Sequence, residues 1–219
     1  LSKTSTLKVK SVFSHLAASE DLEEKAFTLG QIDLYKSLST AFIEKLGYPV
    51  IRHLCNSSGV LNYPEAHFDM VRCGIGLYGY GNTDKEAQNF RPIATLKSII
   101  SQIHDVAKGK SVGYNRGFIS PEGSKIATIP IGHADGIGRH FGHGMGMVSI
   151  GKKKAAIVGN VCMDMIMVDV TDIECNEGDE VVLFGPEFSA ETSAAAANTI
   201  SYELITGISQ RVKREIVYK

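Results

Sequence analysis

The sequence predicts an α/β segment followed by an all-β domain, and three observations lead to this prediction. Over residues 1–81, apolar runs of strand length alternate with helical patterns, as in a parallel sheet with crossover helices. Beyond residue 92, short apolar runs alternate with glycine and aspartate turns, as in all-β domains. Between them, the polar run "NTDKEAQNFR" at 82–91 indicates a linker. We therefore predict an α/β domain at 1–81 and a β-domain at 82–219.

The first segment has the order strand, helix, strand, helix, strand. Ser19 is a possible helix cap before the acidic run "EDLEE", and a helical pattern from Thr28 stops at Gly47. The predicted strands lie at 7–17, 48–57 and 68–79, with a short helix or turn at 57–66. Because a (β/α)8 barrel needs eight strands, we interpret this segment as the later part of such a TIM-like barrel. Functional groups in barrels gather at the carboxyl ends of the strands.

The second domain is predicted to contain many short strands and one closing helix. The closing helix lies within 193–208, with Ser193 as its possible cap. The apolar runs of strand length occupy residues 93–106, 125–132, 146–150, 154–170 and 179–185. Their punctuation by glycine is typical of an all-β domain.

Composition and charge exclude several classes of protein. The net charge is −1, with 23 basic and 24 acidic residues, so no strongly basic surface for nucleic acid is expected. The four cysteines form no C-x-x-C pair, which fits a reducing compartment and argues against disulfides or a zinc site. No apolar run approaches the ~20 residues of a membrane span, and no signal core is present. We expect a cytoplasmic protein without nucleic-acid or membrane partners, and the missing initiator Met indicates a processed or truncated chain.

Two motifs of the first segment contain groups suited to an anionic ligand. "HLCNSSG" places His53, Asn56 and Ser57 where a strand passes into a helix. N–H groups and hydroxyls there can bind phosphate, although plain helix capping explains the same residues equally well. "MVRCGIGLYG" places Arg72 in an apolar strand, where it needs either a ligand or a structural ion pair. His15 ends the first strand and by itself is more typical of a structural histidine.

The histidines and methionines of the second domain have simpler structural interpretations. His133, His140 and His143 lie in a glycine-rich segment with no helix to align them, so no metal site is assigned. The alternating methionines of "CMDMIM" predict one face of a strand packed in the core. Asp164 and Asp169 are interpreted as turn or hydrogen-bonding residues.

The stretch "KSVGYNRGF" places Tyr114 between polar and glycine residues. A phenol has a pKa of about 10, so a tyrosine acts as a base near neutral pH only beside cationic or hydrogen-bonding neighbours. Arg116 is close in sequence, but alternate residues need not face the same way. These residues alone therefore favour a buried packing tyrosine.

Taken in order, the motifs of the chain resemble those of alanine racemases. The matching stretches cover nearly the whole chain and are "SHLAASED", "FTLGQI", "HLCNSSGVL", "FDMVRCGIGLYG", "VGYNRGF", "ATIPIGHADGIGR", "IVGNVCMDMIMVDVT", "GDEVVLFG" and "TISYELITGISQRVKR". The pairing of "VGYNR" with "ISQRVKR" is most similar to racemases of the Bacteroidetes type, some of which are fused to a cell-wall ligase. The resemblance implies a pyridoxal-phosphate isomerase that interconverts L- and D-alanine for peptidoglycan synthesis. It also implies an N-terminal (β/α)8 barrel followed by a β-domain.

The resemblance implies catalytic roles for four residues. Tyr114 corresponds to the base at one face of the substrate α-carbon, and His15, Arg72 and His53 correspond to the polar network around it. Arg72 would hydrogen-bond the pyridine nitrogen of pyridoxal phosphate, which does not favour ring protonation and keeps the electron sink moderate. Its charge, relayed through His15, would lower the pKa of the tyrosine.

Further residues are implied in binding the cofactor and the substrate. The implied cofactor contacts are Asn56, Ser57, Arg72, Gly74, Ile75 and Gln210. Met163 corresponds to the residue whose backbone meets the substrate carboxylate, and His133 lies near the substrate entry. In the family the active site forms across a homodimer, so Tyr114 and Met163 would act in the barrel of the partner.

The sequence also departs from the family pattern. The cofactor lysine belongs to a motif resembling "VVKANAYGHG", which is absent, and Lys8 and Lys10 are not at its position. We therefore expect this chain alone to be inactive. His133 and Gln210 stand where many relatives have tyrosines, so a racemase of another small amino acid such as serine is an alternative. A non-catalytic dimerisation or binding module is a further alternative, and "VGYNRGF" and "CMDM" disfavour a decarboxylase of similar architecture.

Overall fold

The computed structural model describes residues 6–218, and its contacts divide the chain into two compact units. The first unit ends at Arg91 and the second begins at Pro92. The segment 82–91 groups with the first unit and contains a short helix. The domain boundary after residue 81 stays a prediction.

The described part of the first unit contains a parallel pair of short strands and three α-helices. The elements are β1 (Ser11–Phe13), α1 (Lys25–Leu46), β2 (Ile51–His53), α2 (Ser57–Asn62) and α3 (Asp84–Ala87). In the parallel pair, Ser11 lies opposite Ile51 and Phe13 lies opposite His53. Because α1 connects two neighbouring parallel strands, this unit contains the strand–helix–strand arrangement from which (β/α)8 barrels are built.

The predicted third strand at 68–79 is wrong. Met70 forms a single ladder bridge with His53, and the chain then turns into a 3-10 helix, Ile75–Tyr78. Pairing stops at Met70, and the chain turns at Gly74, whose φ of −119° and ψ of −98° lie outside the β region, into a helix that ends at Gly79 with a φ of 84°. The segment nevertheless stays beside β2, because the N–H of Arg72 donates to a carbonyl just beyond this strand.

Helix α1 begins at Lys25, so the predicted cap Ser19 does not cap it. Ser19 is buried instead, and its hydroxyl donates to Oδ1 of Asn56 at 2.9 Å. The predicted end at Gly47 is confirmed, because this glycine has a φ of 73° and its N–H donates to the carbonyl of Ile43 at 3.1 Å. The core beneath α1 consists of Leu16, Ile32, Tyr35, Leu54, Cys55, Tyr63 and Ala66.

The second unit is built on a seven-stranded antiparallel sheet, which confirms the all-β prediction. Its strands are β3 (Leu96–Ile99), β4 (Gln102–Val106), β7 (Ser124–Ile129), β8 (Met147–Ile150), β9 (Lys153–Val158), β10 (Ile166–Asp169) and β11 (Glu180–Phe184), in the spatial order β3-β11-β8-β9-β10-β7-β4. A separate antiparallel hairpin pairs β5 (Ser111–Val112) with β6 (Phe118–Ile119). Buried aliphatic side chains of the central strands, among them Ile129, Ile157, Ile166 and Val168, form the core.

Two short helices replace the single helix predicted at 193–208. They are α4 (Ala190–Ala196) and α5 (Ser201–Thr206). Ser193 lies buried inside α4, so its prediction as a cap is wrong. Ser189 is the cap, and its hydroxyl accepts from the N–H of Thr192 at 3.1 Å. Within residues 6–218, no helix combines the length and the apolar character that a membrane span requires.

The predicted methionine face is wrong for two of its three residues. Met167 lies in β10 and is buried, whereas Met163 and Met165 precede the strand and are 59% and 42% exposed. The cause is a tight turn in which the N–H of Cys162 donates to the carbonyl of Met165 at 3.0 Å. The strand therefore begins only at Ile166, and Met163 lies in the β9–β10 connection.

Candidate active site

Arg72 lies at the centre of a polar cluster in the first unit. One terminal nitrogen of its guanidinium donates to Nδ1 of His53 at 3.0 Å, and the other donates to Nδ1 of His15 at 3.0 Å. His53 ends β2 and His15 follows β1, so the pairing of these parallel strands brings the two histidines to one edge. The structure thus brings together three of the predicted site residues.

The other contacts of Arg72 are with main-chain oxygens. The nitrogen that contacts His15 also donates to the carbonyls of Ser14 at 3.0 Å and Leu54 at 3.2 Å. Among residues 6–218, no carboxylate pairs with Arg72, and its Nε–H has no hydrogen-bond partner. A half-buried guanidinium with an unused N–H and no counter-charge is suited to an acceptor on a ligand.

The contacts with Arg72 determine where the two histidines carry their protons. A guanidinium only donates, so Nδ1 of His15 and Nδ1 of His53 are both acceptors. In each ring the proton then lies on Nε2. His53 is buried and its ring stacks on Phe13, with ring centroids 5.3 Å apart. Burial and the charge of Arg72 hold the pKa of His53 below its usual value, so this ring is neutral at about pH 7.

Ser57 connects the starts of two helical turns. Its Oγ accepts from the N–H of Gly74 at 3.0 Å and from the N–H of Gly76 at 3.2 Å. Ser57 begins α2, and Ile75 begins the 3-10 helix between those glycines. First-turn N–H groups lack an intrahelical acceptor, and in the described part of the chain those of Ser57 and Ile75 have no other partner. With the unused hydroxyl proton of Ser57, they form a donor set suited to phosphate.

The residues on either side of Ser57 have structural partners. Oδ1 of Asn56 accepts from the N–H of Gly59 at 2.8 Å, so the capping alternative is confirmed for Asn56. The hydroxyl of Ser58 donates at 2.9 Å to the buried carboxylate of Glu86, which lies on α3. These bonds fix the start of α2 and thereby the position of Ser57.

Tyr114 lies in the second unit, in the turn between β5 and β6. Its side chain is 73% exposed, so the prediction of a buried packing tyrosine is wrong. The turn depends on left-handed backbone, with φ of 76° at Gly113 and 54° at Asn115. Nδ2 of Asn160 donates to the carbonyl of Tyr114 at 2.9 Å. The phenol hydroxyl has no partner among residues 6–218, so it is open to a ligand or to another chain.

The loop that carries Met163 is attached to the turn that carries His133. The N–H groups of His133 and Ala134 donate to the carbonyls of Cys162 and Met163, at 2.9 Å and 3.0 Å. A Cβ at Gly132 would lie 2.4 Å from the carbonyl oxygen of Cys162, so this close approach requires glycine. The N–H of Met163 donates to nothing in the described residues and is available to a carboxylate.

An ion-pair network fixes the same loop. Arg211 donates from Nε to Asp135 at 2.6 Å and from a terminal nitrogen to Asp164 at 2.6 Å. Asp135 also accepts from the N–H of Gly132 at 2.8 Å. The hydrogen bond from Arg211 holds the pKa of Asp135 below its usual value. Because Arg211 follows Gln210 directly, the network also fixes the chain beside this predicted cofactor contact.

The predicted site residues fall into two groups, one in each unit. The first unit contains His15, His53, Asn56, Ser57, Arg72, Gly74 and Ile75, and the second contains Tyr114, His133, Met163 and Gln210. His133 and Gln210 are exposed. In the part of the chain that the structure describes, no three His, Cys, Asp or Glu side chains are arranged to hold a metal ion.

Sequence reasoning missed two residues that the structure places beside the predicted ones. Asn160 lies three residues before Met163 and Arg211 directly follows Gln210, and this closeness in the chain was the available signal. Their partners Tyr114 and Asp135 lie 46 and 76 residues away, a separation that local patterns do not reveal.

Comparison with protein families identifies both segments. The family model described as "Alanine racemase, N-terminal domain" matches residues 1–82, and "Alanine racemase, C-terminal domain" matches residues 93–216. The alanine racemase of Clostridium kluyveri is 38% identical over 222 residues, covering 98% of this chain and 56% of the relative. The alanine racemase of Halothermothrix orenii is 37% identical, covering 96% and 57%. The chain thus spans little more than half the length of these relatives.

Solved structures give the same result. The alanine racemase of Clostridium difficile 630 in complex with cycloserine superposes with a TM-score of 0.82 at 35% identity, covering 96% of this chain and 56% of that one. The alanine racemase of Bartonella henselae with covalently bound pyridoxal phosphate has a TM-score of 0.81 at 31% identity, covering 96% and 57%. The predicted fold class, later barrel strands followed by a β-domain, is confirmed. The chain belongs to the alanine racemase family.

Proposed function

We propose that the protein containing this chain is a pyridoxal-phosphate-dependent isomerase that racemises alanine. The observation that supports this most is the Arg72 cluster, which combines an unused Nε–H, two histidines whose Nδ1 atoms accept from Arg72, and no carboxylate partner among the described residues. When bound, pyridoxal phosphate supplies an electron sink for the charge that develops on the α-carbon of an amino acid. Because Arg72 only donates, it favours an unprotonated pyridine nitrogen and therefore a moderate sink.

The groups that would hold the cofactor are those whose donors are unused. Nε of Arg72 would donate to the ring nitrogen, and the hydroxyl and N–H of Ser57 with the N–H of Ile75 would donate to the phosphate. A Cβ at Gly76 would lie 3.1 Å from the ring of Phe90 and 3.3 Å from Oγ of Ser57, so glycine permits the close packing of this segment. Asn56 and Gln210 are proposed as additional contacts. These donors match the two acceptor ends of the cofactor.

Tyr114 and Met163 are proposed to act on the substrate. The exposed phenol of Tyr114 would take or give the proton at one face of the α-carbon. The unpartnered N–H of Met163 would bind the substrate carboxylate, and His133 would lie near the entry. Both Tyr114 and Met163 lie in the second unit, whereas the cofactor donors lie in the first. We propose that two copies of the chain share each active site.

A racemase needs a second base at the opposite face of the α-carbon. We propose that this base is the cofactor lysine and that none of the lysines of these 219 residues fills the role. In support, no lysine amine within residues 6–218 contacts His15, His53, Arg72 or Ser57. D-Alanine for peptidoglycan and a cytoplasmic location follow as parts of the same proposal.

The proposal is tested by alanine racemisation in the complete protein, supplied with pyridoxal phosphate. Tyr114→Phe removes only the hydroxyl, so we expect racemisation to fall by about two to four orders of magnitude. Tyr202→Phe, on the exposed face of α5, is the matched control and should keep full activity. Equal activity of Tyr114→Phe and the wild type would overturn the role of Tyr114, and no racemisation by the wild type would overturn the function.

The lysine is tested on the 219-residue chain itself. After incubation with pyridoxal phosphate and reduction with borohydride, peptide mass spectrometry locates any modified lysine. We expect no lysine to be modified stoichiometrically. Full modification of one lysine of this chain would contradict the assignment of the cofactor lysine to a segment outside these residues.

A further inference from the structure

The backbone of the turn that presents Tyr114 is bound by the side chain of Asn160, which lies outside the turn. Nδ2 of Asn160 donates to the carbonyl oxygen of Tyr114 at 2.9 Å. The two residues after Tyr114, Asn115 and Arg116, have φ of 54° and 53°, which is unusual for consecutive residues other than glycine. Such a backbone persists only where surrounding contacts determine it. The hydrogen bond from Asn160 is a contact of this kind.

The amide of Asn160 is itself held in one orientation. A terminal nitrogen of Arg139 donates to its oxygen at 3.4 Å, and Nε2 of His143 donates to the same oxygen at 3.2 Å. Because a guanidinium never accepts, the atom facing Arg139 is the amide oxygen. The amide nitrogen therefore faces Tyr114.

Glycines permit the close packing of the turn against Asn160. A Cβ at Gly117 would lie 2.8 Å from Nδ2 of Asn160 and 3.2 Å from Cα of Gly159. A Cβ at Gly113 would lie 3.0 Å from the terminal methyl of Met167 in β10. A larger residue at 117 would press on the backbone of Gly159 and Asn160, and at 113 the φ of 76° disfavours any residue other than glycine.

The β9–β10 connection carries Asn160 and, three residues later, Met163. The side chain of Asn160 holds the Tyr114 turn, and the backbone of Cys162 and Met163 is bound to the turn of His133. One connection thus sets the positions of the two residues that the proposed function assigns to the substrate.

We propose that Asn160 is a positioning residue that fixes the Tyr114 hydroxyl relative to the Met163 backbone. This inference rests on the proposed function, since it is that function which makes Tyr114 a base. Asn160 touches neither substrate nor cofactor in this assignment. It acts through the carbonyl of Tyr114, and small displacements of a reacting group can lower a rate by about a hundredfold.

The first test needs no cofactor and no activity. The N–H groups of Arg116 and Gly117 close the turn, through bonds to Gly113 and Tyr114 of 3.2 Å each. In the 219-residue chain, Asn160→Ala should raise hydrogen exchange at these two amides by about tenfold, as expected for the loss of one hydrogen bond. Asn176→Ala is the control, because Asn176 is exposed and its side chain makes no hydrogen bond within residues 6–218.

The second test measures racemisation by the complete protein. Asn160→Ala should lower kcat by about ten- to a hundredfold and change KM for alanine by less than about twofold. Asn160→Asp keeps the acceptor for Arg139 and His143 but loses the donor to Tyr114, so it should be impaired at least as much. With α-deuterated substrates, the isotope effect in Asn160→Ala should rise for the enantiomer whose proton Tyr114 removes and not for the other. A merely structural role would not produce this asymmetry.

The two proposals fail in different ways. Unchanged exchange at Arg116 and Gly117 in Asn160→Ala would overturn the positioning role, whatever the protein catalyses. Increased exchange with kcat unchanged, in a protein that Tyr114→Phe inactivates, would overturn it as well. No racemisation by the wild-type protein would instead overturn the proposed function, and the inference with it. Increased exchange together with lowered kcat supports the inference.

Discussion

Arg72 donates to Nδ1 of His15 at 3.0 Å, and this bond leaves His15 with its proton on the outer nitrogen, Nε2. His15 therefore offers an N–H, not a lone pair, to whatever lies beyond it. An oxygen that accepts from this N–H has its charged form favoured, because the positive charge of Arg72 lies on the other side of the ring. The pair is thus suited to stabilise a phenolate and would be poorly suited to act as a base.

Replacement of Arg72 by lysine tests how much depends on the guanidinium geometry. One ammonium group cannot reach His15, His53 and a ring nitrogen at once, so Arg72→Lys should lower kcat/KM for alanine by about tenfold or more. We expect weaker cofactor binding as well, measured by absorbance titration with pyridoxal phosphate. Arg91→Lys, at an exposed position, is the charge-matched control. Equal activity of Arg72→Lys and the wild type would show that charge alone is sufficient.

The buried imidazole of His53 makes stability depend on pH. Burial and the charge of Arg72 lower the pKa of His53 in the folded state, so between about pH 6.5 and that lower value the unfolded chain binds more protons. The stabilisation is therefore complete above about pH 6.5 and is lost as the pH falls. Urea denaturation at a series of pH values should show this loss, and His53→Gln should flatten the curve over the same window. A pKa of His53 above 6.5, read by NMR titration, would contradict this prediction.

The parallel pairing of β1 with β2 could be predicted from the sequence, whereas the backbone conformation of 68–79 could not. The convergence of His15 and His53 follows from the carboxyl ends of two adjacent parallel strands, whereas Arg72 reaches them from a segment that forms only one bridge with β2. The predicted third strand is wrong because ladder pairing with β2 stops at Met70, before the glycines at which the chain turns into a 3-10 helix. Of the large apolar side chains at 68–79, only Ile75 is buried, whereas Met70, Leu77 and Tyr78 are exposed.

In the second unit, two features of the candidate site could not be predicted from sequence patterns, namely the turn that carries Met163 and the exposure of Tyr114. Met163 and Met165 have the alternating spacing of a strand, but they lie in a turn that precedes β10. This turn is closed by a backbone hydrogen bond, which the identities of the side chains do not reveal. The exposure of Tyr114 could not be predicted from the sequence either, because tyrosine side chains occur both in cores and at surfaces. The role proposed for Tyr114 rests on the resemblance of its motif to that of alanine racemases. The distant partner Asn160 was visible only in the structure.

The cysteines of the first unit should differ sharply in reactivity. Cys55 is fully buried, its thiol donates to the carbonyl of Ala66 at 3.1 Å, and burial raises its pKa to about 11. At about pH 8 its thiolate fraction is on the order of a thousandth, and no reagent reaches it. Cys73 is exposed. Iodoacetamide should therefore modify Cys73 in minutes and Cys55 only after denaturation, as read by peptide mass spectrometry. Equal modification of both in the native chain would mean that the core beneath α1 opens readily.

Because of the ion pair between Asp135 and Arg211, the stability of the second unit should depend on pH. Because Arg211 lowers the pKa of Asp135 in the folded state, the stabilisation is present above about pH 3.8 and is lost as the pH falls further. Asp135→Ala should remove this dependence. It should also destabilise the unit by about 1–3 kcal/mol, because the buried N–H of Gly132 loses its acceptor.

Asp169→Ala is the control for Asp135→Ala, since Asp169 is a carboxylate of the same unit whose bonds to Thr171 are exposed. Denaturation midpoints at about pH 7 and below about pH 4 separate the two variants. If Asp135→Ala and Asp169→Ala lost the same stability, the Arg211 network would be no more than a surface ion pair. A larger loss in Asp135→Ala, together with weaker binding of alanine by the complete protein, would show that the network holds the Met163 loop in place.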